Sequence, residues 1–385
     1  MPFAHYITSG GKRLRCGFTT GTCAALAAQG AVRLLLTGTA PTGGCITTPK
    51  GLRVEVPLEQ CSIRDGGGIC AVRKDAGDDT DVTDGMLIYA KAERIGSGIV
   101  IDGGEGVGRV TKPGLDQPVG NAAINHVPRQ MIGDAVAEVC RQLDYPGGIR
   151  LTIFVPEGEA AAKRTFNPDL GIVGGISILG TSGIVEPMSA QALIDTITLE
   201  IRQHAAMGAS HLILTPGNYG MDFLQAHGLD RFGAPVVKCS NFIGDALDQA
   251  AASAFRSVLL VGHVGKICKL AGGIMNTHSR QADCRRELFC AHGAICGADS
   301  ALCKQIMESA TTDACLDLLD QAGLQKAVMD SMLGAIDKHL ARRTGEQCIS
   351  GAILFSGVYG DLGHTRAVPK ILAMLSQIHG KEQSP

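Results

Sequence analysis

Residues 211–220 read HLILTPGNYG, and their reading decides the second half of the chain. His211–Thr215 is an apolar run of strand length, and Pro216-Gly217-Asn218 breaks it and opens a loop. The same unit recurs on both sides. Downstream, Val236-Val237-Lys238-Cys239 runs into Ser240-Asn241 and a helix to about Phe255. Val258-Leu259-Leu260-Val261 then runs into Gly262-His263-Val264-Gly265. Upstream, Gly175-Ile176-Ser177-Ile178-Leu179 precedes Gly180-Thr181-Ser182-Gly183 and a helix from about Ser189 to Met207. Four strand–helix units in a row predict a mainly parallel sheet with helices on both faces, a Rossmann-like α/β domain. Ligands of such sheets bind beyond the carboxyl ends of the strands. Here those ends carry Gly, Ser, Thr and Asn, which let backbone approach a nucleoside-bearing cofactor closely. Beyond Gly273 the pattern is helical to about Leu340, and Ala352-Ile353-Leu354-Phe355 is expected to add an edge strand.

The first half has another texture. Short β-like runs (Arg53–Val56, Ile69–Val72, Leu87–Ala90, Ile99–Ile101) alternate with long glycine loops. Two helices interrupt them: an Ala-rich one from about Thr22 to Leu36, and one opening at Pro128 with apolar positions three and four apart. This predicts an α+β domain over residues 1–165, followed by the α/β domain over residues 166–385. At 385 residues, two domains are expected.

Composition removes several function classes. Net charge is −2 with no long run of one sign, and aromatics are 4% with no Trp. That argues against a nucleic-acid surface, which needs a basic stripe or stacking platforms. No apolar run reaches the ~20 residues that span a bilayer, and Met1–Gly10 lacks the apolar core of a signal peptide. A cytoplasmic enzyme with its 14 cysteines reduced is expected, with no nucleic-acid or membrane partner and a homo-oligomer left open. Cys284, Cys290, Cys296 and Cys303, with His292, fall in one short span, but without a C-x-x-C pair. Thiols on a helical segment are the plainer reading, and no protein-held metal is expected.

Five segments carry chemistry. Arg13, Arg15, Thr19 and Thr20 precede the first helix, where free N–H groups favour anions. Residues 74–83 (KDAGDDTDVT) crowd acids beside Lys74, so Asp78 and Asp79 need a cation nearby. Gly103–Gly108 resembles a phosphate cradle without the Lys-Ser/Thr pair of a nucleotide loop; Arg109 and Lys112 follow it. Arg129 sits in the first turn of a helix, the wrong end for a cation unless a ligand is there, and His126 is close by. In residues 261–279, Lys266 and Lys269 lie one helical turn apart between His263 and His278.

Taken together and in order, GFTTGTCAA (17–25), KDAGDDTDVT (74–83), GGEGVGRVTKPGL (103–115), AINHVPRQMI (123–132), GISILGTSGIVEPMS (175–189) and GHVGKICKLAGGIMNTHS (262–279) resemble the CbiD family. These are the cobalt-precorrin-5B (C1)-methyltransferases of anaerobic cobalamin biosynthesis. The resemblance implies methyl transfer from S-adenosyl-L-methionine to a carbon of a contracted tetrapyrrole, with cobalt belonging to the substrate. A polycarboxylate of that kind calls for cations and exposed N–H groups. The expected substrate contacts are therefore Arg13, Arg15, Thr19, Thr20, Lys74, Arg109, Lys112 and Arg129. The cofactor is expected at Gly180, Thr181, Ser182, Gly183, Thr215, Gly217, Asn218, Asn241 and Gly262, and any proton transfer at Asp78, Asp79, His263 or His278. Two other readings share these residues: an ATP-dependent phosphotransferase using Gly103–Gly108, and a non-catalytic tetrapyrrole carrier.

Overall fold

The Ala-rich run forms a helix, α1 (Thr20–Thr37), of whose 18 residues 14 are buried. Thr19 caps it, accepting the Thr22 N–H at 3.3 Å. A helix apolar all round belongs inside a core, and its small residues let neighbours come close. Gly30 rests on Leu58 and Cys70, and Gly68 of the sheet faces the Ala31 carbonyl. The protein is seen here in a computed structural model that describes residues 3–9, 11–168 and 170–382, and it divides into two units, Met1–Ala190 and Gln191–Pro385.

In the first unit α1 covers a five-stranded sheet: β1 (Glu59–Arg64), β2 (Gly67–Arg73), β3 (Leu87–Ile95), β4 (Ile99–Gly103) and, after helix α2 (His126–Gln142), β5 (Gly148–Phe154). The order is β1-β2-β3-β5-β4, antiparallel except for the β5–β4 pair. The strands expected at residues 53–56, 69–72, 87–90 and 99–101 are all present. Leu151, Ile153, Ile88 and Ala90 join α1 and the buried stripe of α2 (Met131, Ile132, Ala135, Val136, Val139) in one core.

Two expectations are corrected here. Residues 172–185 do not begin the parallel sheet. Ile172-Val173 pairs with Arg109-Val110, Gly175-Ile176 with Gly106-Val107, and Ile184-Val185 with Gly17-Phe18. The boundary therefore falls at residue 190 and not 165, because these short strands find their partners in the first unit. The Gly103–Gly108 run is likewise no open cradle. A Cβ on Gly106, at φ +69°, would be driven into the Val155 carbonyl, and one on Gly108 into Ile172 and the Gly175 carbonyl. These glycines let backbones cross at close range.

The second unit is a layered α/β structure. After α3 (Ala190–Ala206) come β6 (His211–Thr215), α4 (Asn218–Ala226), β7 (Val236–Lys238), α5 (Ile243–Ala252), β8 (Ser257–His263) and the single turn α6 (Val264–Ile267). Helices α7 (Arg285–Ile295), α8 (Ser300–Glu308), α9 (Thr312–Gln321) and α10 (Gln325–Thr344) follow, then β9 (Ile349–Ser356), β10 (Gly360–His364) and α11 (Val368–Glu382). The sheet order is β7-β6-β8-β9-β10, parallel but for β10. Alternation along the strands fills both faces. Leu212, Leu214, Val258, Leu260, Ala352 and Leu354 meet α5 and α10, whereas Ile213, Leu259, Val261 and Ile353 meet α4 and α11. Residues 352–355, expected at the edge, lie inside β9 between two strands, and β10 takes the edge.

Candidate functional site

Helix α1 begins where the segment 177–183 crosses it. The Thr20 hydroxyl accepts the Leu179 N–H at 2.9 Å, and the Thr22 hydroxyl donates to the Gly183 carbonyl at 2.7 Å. Gly180 and Gly183, both at positive φ, face Thr19, Thr22 and Thr48 where a side chain would clash. Thr19 and Thr20 thus hold protein backbone, and both are buried. Ser182 caps its own turn through the Ile184 N–H, while Thr181 is exposed and lines a cleft of about 510 Å³ with Thr47, Thr48, Gln130 and Asp134.

The acidic segment finds its cations within the unit. Arg15 donates to both Asp75 oxygens at 2.6 and 2.8 Å. Burial pushes the Asp75 carboxyl up, but Arg15 and the Gly77 N–H outweigh it and hold the group below its ordinary value. Lys74, 2% exposed, donates to Asp81 at 2.9 Å. Asp78 accepts the Arg15 backbone N–H at 2.6 Å and Asp79 the Met188 N–H at 3.2 Å. Arg109 grips Asp102 at 2.8 and 3.0 Å and the Gly103 carbonyl at 2.8 Å. Arg129 sits in the first turn of α2 for a structural reason, since it donates to the carbonyls of Ile124 and Ile101 at 2.8 Å. Lys112 shields Gly171, and His126, exposed, pairs with Asp116. Arg13 is exposed, with its guanidinium 4.2 Å over the Tyr6 ring. Of the cations expected to meet a ligand, Arg15, Lys74, Arg109 and Arg129 are thus spent on the chain's own acceptors.

In the second unit the four parallel strands all discharge at one edge. Beyond β6, the Thr215 hydroxyl donates to the Gly217 carbonyl at 2.9 Å, and Lys238 at the end of β7 reaches Asn218 at 3.0 Å. Beyond β8, Lys266 donates to the Pro216 carbonyl at 3.1 Å, and burial pulls this ammonium below the ordinary lysine value. Gly262 is buried because a Cβ there would meet Ile267 at 2.8 Å and Pro216 at 3.1 Å. Asn241 accepts the Thr277 hydroxyl at 3.3 Å, which ties the β7 end to residues 276–278. His263 lies beside Tyr219 (ring centroids 6.2 Å apart) and Phe355 (5.8 Å, edge-on). His278 is exposed and accepts the Arg280 N–H. The edge therefore offers the exposed Tyr219 ring, the amides of Asn218 and Asn241, and Lys266, whereas the Thr215 and Thr277 hydroxyls are buried and bonded within the unit. With the order 2-1-3-4-5, the chain direction across the sheet reverses between β6 and β8, where Pro216, Gly262 and Lys266 pack on one another.

Comparison with known proteins gives the family. The CbiD family model matches residues 7–187, and the model for the CbiD C-terminal domain matches residues 276–366. The chain belongs to the CbiD family. A relative from Ruminiclostridium cellulolyticum named cobalt-precorrin-5B C(1)-methyltransferase is 48% identical over 360 residues, 93% of each chain. One of the same name from Alkaliphilus metalliredigens is 41% identical over 98% of this chain and 99% of its own. A crystal structure of the cobalamin biosynthesis protein cbiD from Archaeoglobus fulgidus is 28% identical over 71% of this chain and 86% of that one, with a TM-score of 0.39.

Sequence reasoning passed over two groups of this CbiD chain's second unit. Tyr219 is 74% exposed, and a lone aromatic after a Gly-Asn carries no spacing signal. The Gly357 N–H approaches His263 from β9, far along the chain. The cysteines of the 284–303 span are free thiols on and beside α7 and α8. Cys303 contacts the Cys290 carbonyl, Cys284 precedes α7, and among the described residues no three metal-binding side chains converge. No membrane-crossing helix is present among the described residues either.

Proposed function

We propose that this chain methylates C(1) of cobalt-precorrin-5B, giving cobalt-precorrin-6A, with S-adenosyl-L-methionine as donor. What carries the reading is the 48% identity over 93% of the chain to a relative of that name. We assign the donor to the carboxyl edge of the second unit's Rossmann-like sheet, at Thr215, Gly217, Asn218, Tyr219, Asn241 and Gly262. The residues fit such a molecule: an exposed ring for the adenine face, the Asn218 and Asn241 amides for the ribose, and Lys266 for a carboxylate. The donor supplies an electrophilic methyl group. The chain's own part is to orient it, exclude water and leave the ring carbon free to attack in line. The first unit's share is carboxylate recognition by Arg13 and Lys112, with Asp78 and Asp79 on the same unit. Gly180–Gly183 belong to this share and not to the donor, since they pack on α1. The cytoplasm is the expected setting.

No observation favours a phosphotransferase or a carrier. The test is calorimetry with S-adenosylhomocysteine together with transfer of a labelled methyl group to the tetrapyrrole. At a hundred times Kd the ligand is expected to stabilise the folded chain by ~2.7 kcal/mol. Neither stabilisation nor transfer would defeat the reading. Tetrapyrrole binding without label transfer would favour the carrier.

A further inference from the structure

Both ring nitrogens of His263 face backbone N–H groups. The Gly265 N–H donates to Nδ1 at 3.1 Å, and the Gly357 nitrogen lies 3.4 Å from Nε2. A neutral imidazole has one donor and one acceptor nitrogen, so only one of these contacts is a hydrogen bond. The Nδ1 contact is shorter and caps the turn α6. Nδ1 therefore keeps the lone pair and Nε2 carries the hydrogen. Nε2–H and Gly357 N–H then confront each other as two donors. The ring is held there edge-on to Phe355 and near Tyr219. This contact lies at the surface, and a Cβ on Gly357 would meet nothing within 4 Å.

An oxygen seated about 2.9 Å from each nitrogen would accept both hydrogens and relieve the conflict. Lys266, three residues on, spends one donor on Pro216 and has two left for a ligand among the described residues. Its charge selects a carboxylate over a neutral carbonyl. The Asp313 carboxylate beside this turn is engaged by the Ser356 hydroxyl at 2.7 Å.

We propose that His263 Nε2–H and Gly357 N–H form a donor pair that, with Lys266, seats a ligand carboxylate at the carboxyl edge of the second sheet. His263 is thereby an anchor and not a proton carrier. The identity of the carboxylate rests on the methyltransferase reading: it belongs either to the methionyl part of the donor or to an acetate or propionate of the tetrapyrrole.

Two substitutions separate the two nitrogens. His263→Asn keeps an acceptor where Nδ1 caps the turn and removes Nε2–H; His263→Gln keeps a donor near Nε2 and loses the cap. The full chain is titrated with S-adenosylhomocysteine and with methylthioadenosine, which lacks the carboxylate. If the donor's carboxylate is held, His263→Asn weakens S-adenosylhomocysteine at least tenfold, leaves methylthioadenosine unchanged, and His263→Gln restores most of the loss. If the tetrapyrrole's is held, both nucleosides bind normally, and KM for the tetrapyrrole rises tenfold in the Asn variant with kcat little changed. Equal behaviour of Asn and wild type in both arms overturns the donor pair, as does equal damage from Asn and Gln. Long-range nitrogen–proton NMR of the unliganded chain is independent of activity: a hydrogen on Nε2 supports the inference and one on Nδ1 refutes it. A wild-type chain with Nε2–H but neither nucleoside binding nor methyl transfer would instead bring down the methyltransferase reading.

Discussion

Breaking the Lys74–Asp81 pair from its two ends should cost very different amounts. The Lys74 side chain is 1% exposed, Asp81 is 26% exposed, and they meet at 2.9 Å. Asp81→Asn leaves an ammonium in the core with its carboxylate gone, and orphaning a buried charge costs ~3–5 kcal/mol. Lys74→Met fills the same channel with apolar atoms. It leaves a carboxylate that still accepts the Thr83 N–H at 2.8 Å and hydroxyl at 2.7 Å and keeps contact with water. Roughly 1–2 kcal/mol is expected there. At ~2–4 °C per kcal/mol for a unit of this size, calorimetry should show Tm falling by roughly 6–20 °C for Asp81→Asn and roughly 2–8 °C for Lys74→Met. The double variant should recover most of the difference, since with the lysine also replaced no buried charge is left without its partner. The acid limb gives a second readout. Burial pushes Asp81 up, but Lys74 and Thr83 outweigh it and hold its pKa below the ordinary value. A depressed folded pKa means stability present above about pH 4 and lost as pH falls through the folded value. That loss should be smaller in Asp81→Asn. Equal costs from the two single variants, or less than ~1 kcal/mol from Asp81→Asn, would refute the reasoning, because the lysine would then not depend on this carboxylate.

Two further outcomes test the first unit. Thr20→Val keeps the shape but leaves the part-buried Leu179 N–H without its 2.9 Å acceptor; a loss of ~0.5–1.5 kcal/mol is expected by chemical denaturation, with faster exchange of the Leu179 amide. A loss under ~0.5 kcal/mol would mean that water replaces the hydroxyl there. Gly106→Ala forces a Cβ against the Val155 carbonyl at φ +69°; destabilisation of ~2 kcal/mol or more is expected, with no ATP–Mg²⁺ binding in either form, whereas tight nucleotide binding by wild type that the variant loses would reinstate the phosphate-loop reading.

What was legible followed from local pattern. Helix α1 shows in its run of small apolar residues, and β6, β7 and β8 show in apolar runs closed by Gly, Ser or Asn. The segment 172–185 has the same local look, yet it pairs with Gly17-Phe18 and Gly106–Val110. The choice of partner across so many residues leaves no periodicity to read. Strand β9 was misplaced to an edge, although seven of its eight residues are buried and a continuous apolar run is the mark of a parallel interior strand. Charges were the least legible, because an arginine's residue type does not say who answers it. Asp75 answers Arg15 from 60 residues away. Lys266 and Lys269 make the point within one segment. Their spacing puts them one turn apart, as though they shared a task. But the helical turn tightens at Cys268, and Lys269, 2% exposed, donates to the carbonyls of Thr277 and Ala282 at 3.0 and 2.9 Å. It fastens residues 277–282 to the unit. Lys266, at the end of the sheet, has a single protein acceptor, the Pro216 carbonyl, among the described residues. The same residue type at helical spacing thus fastens a segment at one position and keeps donors in reserve at the other, and only the count of satisfied donors tells them apart.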